Sequence, residues 1–284
     1  MSDINSKLLF TQYTLNQLTR EKPSFLEIND TYLRLFKMLR NKKTLMIAGS
    51  QGSGKSTLSL LIKKYFLKFY SKNVVVLSID DFYLSSHERK KLAKKYKSNL
   101  FETRGVPGTH NLKLLYKTID QLKKKRFPVY IPIFDKLTDN KKKYKRKINK
   151  ADLIILEGWC VGSKPIEVKY LKKNVNNLEK SKDANLFWRT AYNNALVDYQ
   201  KLFNKFNYYI FIKLPNWKYV INWKYKQELG LRSKRSDNRL KNKLYEFIQY
   251  YEKLSKWMSL SSPNFCDTLI KLDKNQKIKK IIFR

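Results

Sequence analysis

Long apolar runs are missing from this 284-residue chain, and so are most marks of a specialised class. No hydrophobic stretch approaches the roughly 20 residues needed to cross a bilayer. The N-terminus lacks the basic start, apolar middle and small-residue cleavage site of a secretory leader, so a cytoplasmic protein without membrane contact is expected. Cysteine is nearly absent: Cys160 and Cys266 stand far apart, without CxxC spacing or neighbouring histidines. That argues against a disulfide framework or a zinc site and leaves two buried or bystander thiols. Histidine occurs twice, as His87 in a polar stretch, expected at the surface, and as His110.

Acidic residues are scarce as well, with 23 Asp and Glu against 61 Lys and Arg, a formal net charge of +38. Such an excess draws nucleic acid, because each Lys or Arg that neutralises a phosphate releases counterions. Lys far outnumbers Arg here and is spread along the whole chain beside abundant Asn, Ile and Tyr, as AT-rich codon use would produce. Charge governs solubility and non-specific association rather than fold, so no specific nucleic-acid partner is expected. The rival class is a basic nucleic-acid-binding ATPase. The length suffices for a sizeable core, and short apolar segments interrupted by charge favour one α/β domain over residues 1–284.

Ser6 to Gln17 and Asp30 to Leu39 carry apolar residues at helical spacing, with Asp30 expected as an N-cap, giving an N-terminal helical extension over residues 1–43. Residues 44–284 form the expected core. Four apolar runs in it predict strands: Thr44 to Ala48, Val74 to Ile79, Leu153 to Leu156 and Tyr208 to Ile212. Continuous β-branched character suits parallel strands buried on both faces. Helical spacing over Ser56–Tyr70, Phe187–Phe206 and Arg239–Met258 supplies the covering layers. A three-layer α/β fold with a mainly parallel sheet follows, with function at the C-terminal ends of the strands. The Lys-rich stretch 141–150 and the polar stretch 169–184 are expected to be loops or surface excursions.

Between the first strand and the next helix stands Gly49-Ser50-Gln51-Gly52-Ser53-Gly54-Lys55-Ser56, followed by Thr57. This GxxxxGK[ST] pattern is a phosphate-binding loop. Its glycines let backbone N–H groups wrap phosphates, Lys55 reaches the β and γ oxygens, and Ser56 supplies a hydroxyl for Mg²⁺. The helix N-terminus faces the anion as well. ATP and Mg²⁺ are therefore the expected cofactors. Glu157 ends an apolar strand from which an acid reaches the metal or its water shell, and Gly158 permits close backbone approach. Asp80 and Asp81 end another strand, where one of them is expected to take the acceptor's proton and organise the magnesium shell. The segment Arg104-Gly105-Val106-Pro107-Gly108-Thr109-His110 combines a rigid turn with groups suited to an anionic or hydroxylated acceptor. Lys136 is a candidate partner for a substrate carboxylate. Arg232 and Arg235 are candidates for a lid over the ATP phosphates near residues 229–240.

Taken together, these segments resemble the plant-type and bacterial D-glycerate 3-kinases, relatives of uridine kinase, phosphoribulokinase and pantothenate kinase. The likeness runs through GSQGSGKST (Gly49 to Thr57), SIDDFYL (Ser78 to Leu84), RGVPGTHNL (Arg104 to Leu112), IPIFDK (Ile131 to Lys136) and ILEGWCVG (Ile155 to Gly162). It continues through NNLEKSKDANLFWR (Asn176 to Arg189), WKYKQE (Trp223 to Glu228) and YYEKL (Tyr250 to Leu254). The resemblance implies an ATP-dependent kinase acting on glycerate, with Asp80 as base, Glu157 as the strand-end acid, and Arg104 and His110 lining the acceptor pocket. Asp81, Tyr83 and Lys136 complete the expected substrate side. The chain departs from the pattern at Asn111, where Asp is usual, at Lys224 in place of Arg, and in lacking Gly-Asp-Arg after Lys136.

Overall fold

The computed structural model describes residues 3–232 and 238–284, with the backbone alone for 230–232 and 238. Three helical pieces come first: α1 (Asp3–Thr19), α2 (Phe25–Ile28) and α3 (Arg34–Leu39). Ser24, rather than Asp30, caps the second, its Oγ accepting the Glu27 N–H at 3.1 Å. Asp30 lies inside a wide turn of i→i+5 type over Asn29–Leu33 that joins α2 to α3, so the expected N-cap is corrected.

Strand β1 (Thr44–Gly49) feeds the glycine loop and α4 (Lys55–Tyr70), and β2 (Val74–Ser78) follows. Ile79 belongs to a short 3₁₀ turn, Ile79–Phe82, rather than to the strand. Helices α5 (Ser86–Lys95) and α6 (Leu112–Lys123) precede four short strands: β3 (Val129–Ile131), β4 (Phe134–Asp135), β5 (Asn140–Lys141) and β6 (Arg146–Ile148). The supposed Lys-rich loop thus pairs, β6 with β3 and β5 with β4, both antiparallel. After β7 (Leu153–Gly158), the polar stretch folds as α7 (Val168–Lys172) and α8 (Asn177–Lys182). Side chain caps explain why so polar a segment is helical: Asn176 accepts from the Glu179 N–H, and Asp183 holds Arg189 of α9 (Phe187–Phe203). The rest is β8 (Tyr209–Lys213), α10 (Val220–Arg232), α11 (Asn238–Ser261), β9 (Thr268–Leu272) and β10 (Ile278–Phe283).

The main sheet has the order β10-β9-β8-β1-β7-β2, parallel except for the antiparallel β10 at one edge. Alternation along the strands divides the core in two. Leu45, Ile47, Leu153 and Ile155 pack under α4 and the N-terminal helices. Met46, Ala48, Ile154 and Leu156 pack towards α6, α9 and α11. Trp188, Tyr192, Tyr199 and Phe203 of α9 are core residues, as are both cysteines. Register sets the site: Ile47 lies abreast of Glu157, and Glu157 abreast of Ser78. The ends of β1, β7 and β2 therefore bring the glycine loop, Glu157 and Asp80 to one edge. Among the described residues, no helix is long and apolar enough to cross a membrane.

Candidate active site

Gly49 ends β1, and the chain turns tightly before α4. Gly52 and Gly54 have φ of 75° and 85°, the left-handed region, and a Cβ at Gly52 would also lie 2.8 Å from Cβ of Trp223. Lys55 folds back over the loop, donating to the Ser50 carbonyl at 2.8 Å. The start of α4 has no side-chain cap, and Gln51 Oε1 and Ser53 Oγ are buried without a hydrogen-bond partner. Buried polar atoms are nearly always paired, so a hydroxyl donor such as Ser53 Oγ at an uncapped helix N-terminus fits an anion such as a phosphate chain, whereas Gln51 Oε1 can only accept.

Glu157, 6% exposed, accepts a hydrogen bond from Ser56 Oγ at 3.2 Å. Burial pushes its carboxyl up; Lys55 pulls it back down, and the charge of Asp80 raises it again. Two carboxylates that disfavour each other's charge, beside a serine hydroxyl, are the hard oxygen donor set of a divalent cation such as Mg²⁺. Lys55 is lowered by burial, with Glu157 and Asp80 opposing that shift. Gly158 allows this convergence, since a Cβ there would lie 2.3 Å from Cγ2 of Ile79.

Asp80 projects from the 3₁₀ turn after β2. Its Oδ2 accepts from Lys136 Nζ at 2.6 Å and its Oδ1 from the Tyr83 hydroxyl at 2.7 Å. Burial opposes ionisation at Asp80, but the Lys136 charge and these two hydrogen bonds outweigh it and hold the carboxyl well below the usual carboxylate range. Asp81 turns the other way. Its Oδ1 accepts the Phe134 N–H at 3.2 Å, tying β4 to the end of β2, and burial raises its pKa. The adjacent acids thus have different jobs: Asp80 faces the cleft, and Asp81 anchors the hairpin that carries Lys136.

Tyr83 stacks on His110, ring centroids 4.6 Å apart. His110 Nδ1 lies 2.6 Å from the Tyr199 hydroxyl, and its Nε2 is buried without a partner. Burial lowers the imidazole from its ordinary 6.5 to about 4, so the ring is neutral at physiological pH. The segment 104–110 is bound on every side: Trp159 Nε1 and the Tyr251 hydroxyl donate to the carbonyls of Gly105 and Arg104, each at 3.0 Å, and the Gly108 N–H donates to Tyr199 Oη at 3.0 Å. Arg104 pairs with Asp139, and its NH2 group donates to the Lys136 carbonyl at 3.3 Å. The same Asp139 pairs with Arg89, a fully buried guanidinium that also donates to the Leu84 and Glu102 carbonyls.

The structure therefore links Asp80, Tyr83, Lys136, Arg104 and His110 by hydrogen bonds and ring stacking at the strand ends, next to Lys55, Ser56 and Glu157. Lys136 meets a carboxylate, but that of Asp80. His87 is exposed. Asn111, in place of the usual Asp, caps α6, its Oδ1 accepting the Leu114 N–H at 2.9 Å. Lys224 pairs with Glu228 at 2.7 Å. Arg235 lies outside the described residues, as does the side chain of Arg232. Sequence reasoning missed Asp139, Arg89 and Tyr199. A lone Asp within a Lys-rich run is a signal for the first; nothing local distinguishes the other two.

A P-loop with a strand-end acid beside it, on a largely parallel sheet, defines a P-loop nucleotide-binding fold. The Phosphoribulokinase / Uridine kinase family pattern matches residues 45–185, and the chain belongs to that family. It is 30% identical over 218 residues to an uncharacterized kinase, mug58, of Schizosaccharomyces pombe, covering 73% of this chain and 77% of that protein. It is 28% identical over 218 residues to the chloroplastic D-glycerate 3-kinase of Arabidopsis thaliana, covering 71% of this chain and 44% of that protein. The structure of a D-glycerate 3-kinase from Cryptococcus neoformans var. grubii superposes over 100% of both chains with a TM-score of 0.69 at 20% identity, a likeness of fold.

Proposed function

We propose that this kinase transfers the terminal phosphoryl group of ATP to the 3-hydroxyl of D-glycerate. The observation that carries the proposal is the Asp80 carboxylate held by Lys136 Nζ at 2.6 Å, with the Arg104 guanidinium on the same hairpin, 3.3 Å from the Lys136 carbonyl. An acceptor that offers a hydroxyl to Asp80 and a carboxylate to Arg104 and Lys136 is a small hydroxy acid. The Arabidopsis relative carries that activity in its name.

In this reading Gly49 to Thr57 hold the phosphates, with Ser53 Oγ among the groups that gain a partner. Lys55 neutralises charge on the transferring group. Ser56 and Glu157 would hold Mg²⁺, which supplies further neutralisation of the phosphate oxygens. Asp80 orients the attacking hydroxyl and receives its proton as the new O–P bond forms and the bond to ADP breaks. The pair with Lys136 keeps Asp80 ionised and so able to accept that proton, which then passes on to water. Catalysis is then mostly positioning and electrostatics. Tyr83 holds Asp80, and His110, neutral, presents Nε2 as an uncharged partner for an acceptor hydroxyl.

A phosphoryl-transfer screen over hydroxy acids, nucleosides and pantothenate, with product identification, tests this. Phosphoglycerate is the expected product. Phosphorylated nucleoside or pantothenate without phosphoglycerate would overturn the substrate assignment.

A further inference from the structure

A cavity of about 520 Å³ opens beside the P-loop, and Asp80, Lys136, Arg104 and His110 take no part in its lining. Gly54 and Thr57 border it. Leu18 near the end of α1 and Tyr32 between α2 and α3 line it from the N-terminal helices, and Trp223 and Ile278 from the C-terminal half. The arrangement is tied together. Gln276, in the β9–β10 turn, donates to the Gly52 carbonyl at 2.6 Å, and the Arg34 guanidinium sits 4.8 Å from the ring centre of Phe283 at the end of β10.

The strand order gives the cavity its meaning. β1 and its glycine loop lie in the middle of the sheet, and the acceptor residues follow β2 at one edge. A triphosphate seated on the loop with its reacting end towards Asp80 and Glu157 directs its other end towards β8, β9 and β10. That end carries a flat base and a polar sugar. The cavity is of ordinary size for such a ligand and offers it aromatic and aliphatic walls with polar groups at the margin, Arg20 and Gln276 among them.

We propose that the N-terminal helices, through Leu18 and Tyr32, form part of the subsite for the nucleoside end of ATP, so that recognition of the base is built partly outside the core that carries the P-loop. This rests on the reading of Gly49 to Thr57 as a triphosphate site.

The test compares Mg-ATP with Mg-tripolyphosphate, which has the phosphates and no nucleoside, by calorimetric titration of the full-length wild type and of Leu18→Trp and Tyr32→Ala. Thermal melts verify folding, and the wild-type comparison stands whether or not either variant folds. The wild type is expected to prefer ATP by about tenfold or more, and each folded variant to lose about tenfold in ATP affinity, with tripolyphosphate affinity kept within about threefold. Equal wild-type affinity for the two ligands overturns the nucleoside subsite and leaves the P-loop reading intact. Unchanged ATP affinity in the folded variants overturns it too, as does a parallel loss for both ligands. A wild type that binds neither ligand sinks both readings.

Discussion

The phosphate side and the acceptor side of the cleft are built in opposite ways. The phosphate side is one continuous segment, Gly49 to Thr57, plus Glu157 from the neighbouring strand, and its donors include the Ser53 hydroxyl and an uncapped helix start, neither with a side-chain partner. The acceptor side draws Asp80, Tyr83, Arg104, His110 and Lys136 from three separate stretches, and most of its charges are already paired: Asp80 with Lys136, Arg104 with Asp139. In the proposed reading the first side meets an anion with backbone N–H groups and a hydroxyl. The other is a set of partly exposed ion pairs, Lys136 57% and Asp80 25% exposed, which in the proposed reading an acceptor must enter and re-pair. Binding strength thus belongs to the first, and discrimination between acceptors to the second.

The sharpest way to break this contrast is Lys55→Ala. The Lys55 ammonium donates to the loop carbonyl of Ser50, so its removal is expected to leave folding intact while transfer falls by about a thousandfold or more. Turnover on Mg-ATP near the wild-type rate, with an unchanged melt, would dismiss the phosphate role of the loop.

Next comes the base. Asp80→Asn is expected to lower kcat by about a hundredfold to ten-thousandfold, with ATP affinity changed much less. Asp81→Asn keeps an oxygen that can accept the Phe134 N–H and removes only the carboxylate charge, so the expected effect is a small change in melting temperature with milder kinetics. Steady-state kinetics across magnesium concentrations, with nucleotide binding measured separately, decide the matter. Near-normal kcat in Asp80→Asn with collapse in Asp81→Asn would reverse the two roles.

This difference between the two sides also explains what could be read in advance. The P-loop is legible because backbone N–H groups do its work, and their geometry is written in local glycine spacing. The four buried parallel strands were equally plain, as continuous apolar runs. β9 and β10 were not predicted: they match the other strands in length, but Lys271 interrupts the apolar run of β9 and Lys279 and Lys280 that of β10. Residues 141–150 and 169–184 hid their structure for a related reason: pairing with β3 and β4, and side-chain capping by Asn176, come from partners distant in sequence or from single polar atoms. The Arg89–Asp139–Arg104 link is wholly tertiary, across 50 and 35 residues of chain, and no periodicity announces it.

That link yields a smaller expected effect. Arg104→Ala should raise the KM for the acceptor by roughly tenfold to a hundredfold, since a hydrogen bond to a charged group contributes about 1.5–3 kcal/mol. Asp139→Asn leaves Arg104 in place but frees it to move, so a lesser rise in acceptor KM with nearly constant kcat and ATP affinity is expected. Equal damage to ATP binding in either variant would mean that the acceptor side is not separable from the phosphate side.

The smallest effect concerns pH and tests whether the acceptor side is closed around His110. His110 is buried between Tyr83 and Tyr199, and its pKa is lowered to about 4 from the ordinary 6.5. Between those values the unfolded chain binds a proton at His110 that the folded chain does not. Stability therefore rises with pH across the window and falls as pH drops from about 6.5 towards 4, by at most about 3 kcal/mol from this residue. Asp80, with its folded pKa depressed, contributes stability that is present above the unfolded carboxylate value and is lost only as pH falls below it, so the two groups act in separate windows. His110→Gln, which cannot titrate, is expected to flatten the slope between about pH 6.5 and 4 and leave the more acidic fall in place. Urea unfolding at several pH values in both proteins measures this directly. An unchanged slope in the variant, or an NMR titration of the His110 ring with its midpoint near the ordinary value, would mean that water reaches the imidazole and that the acceptor pocket is open before substrate arrives.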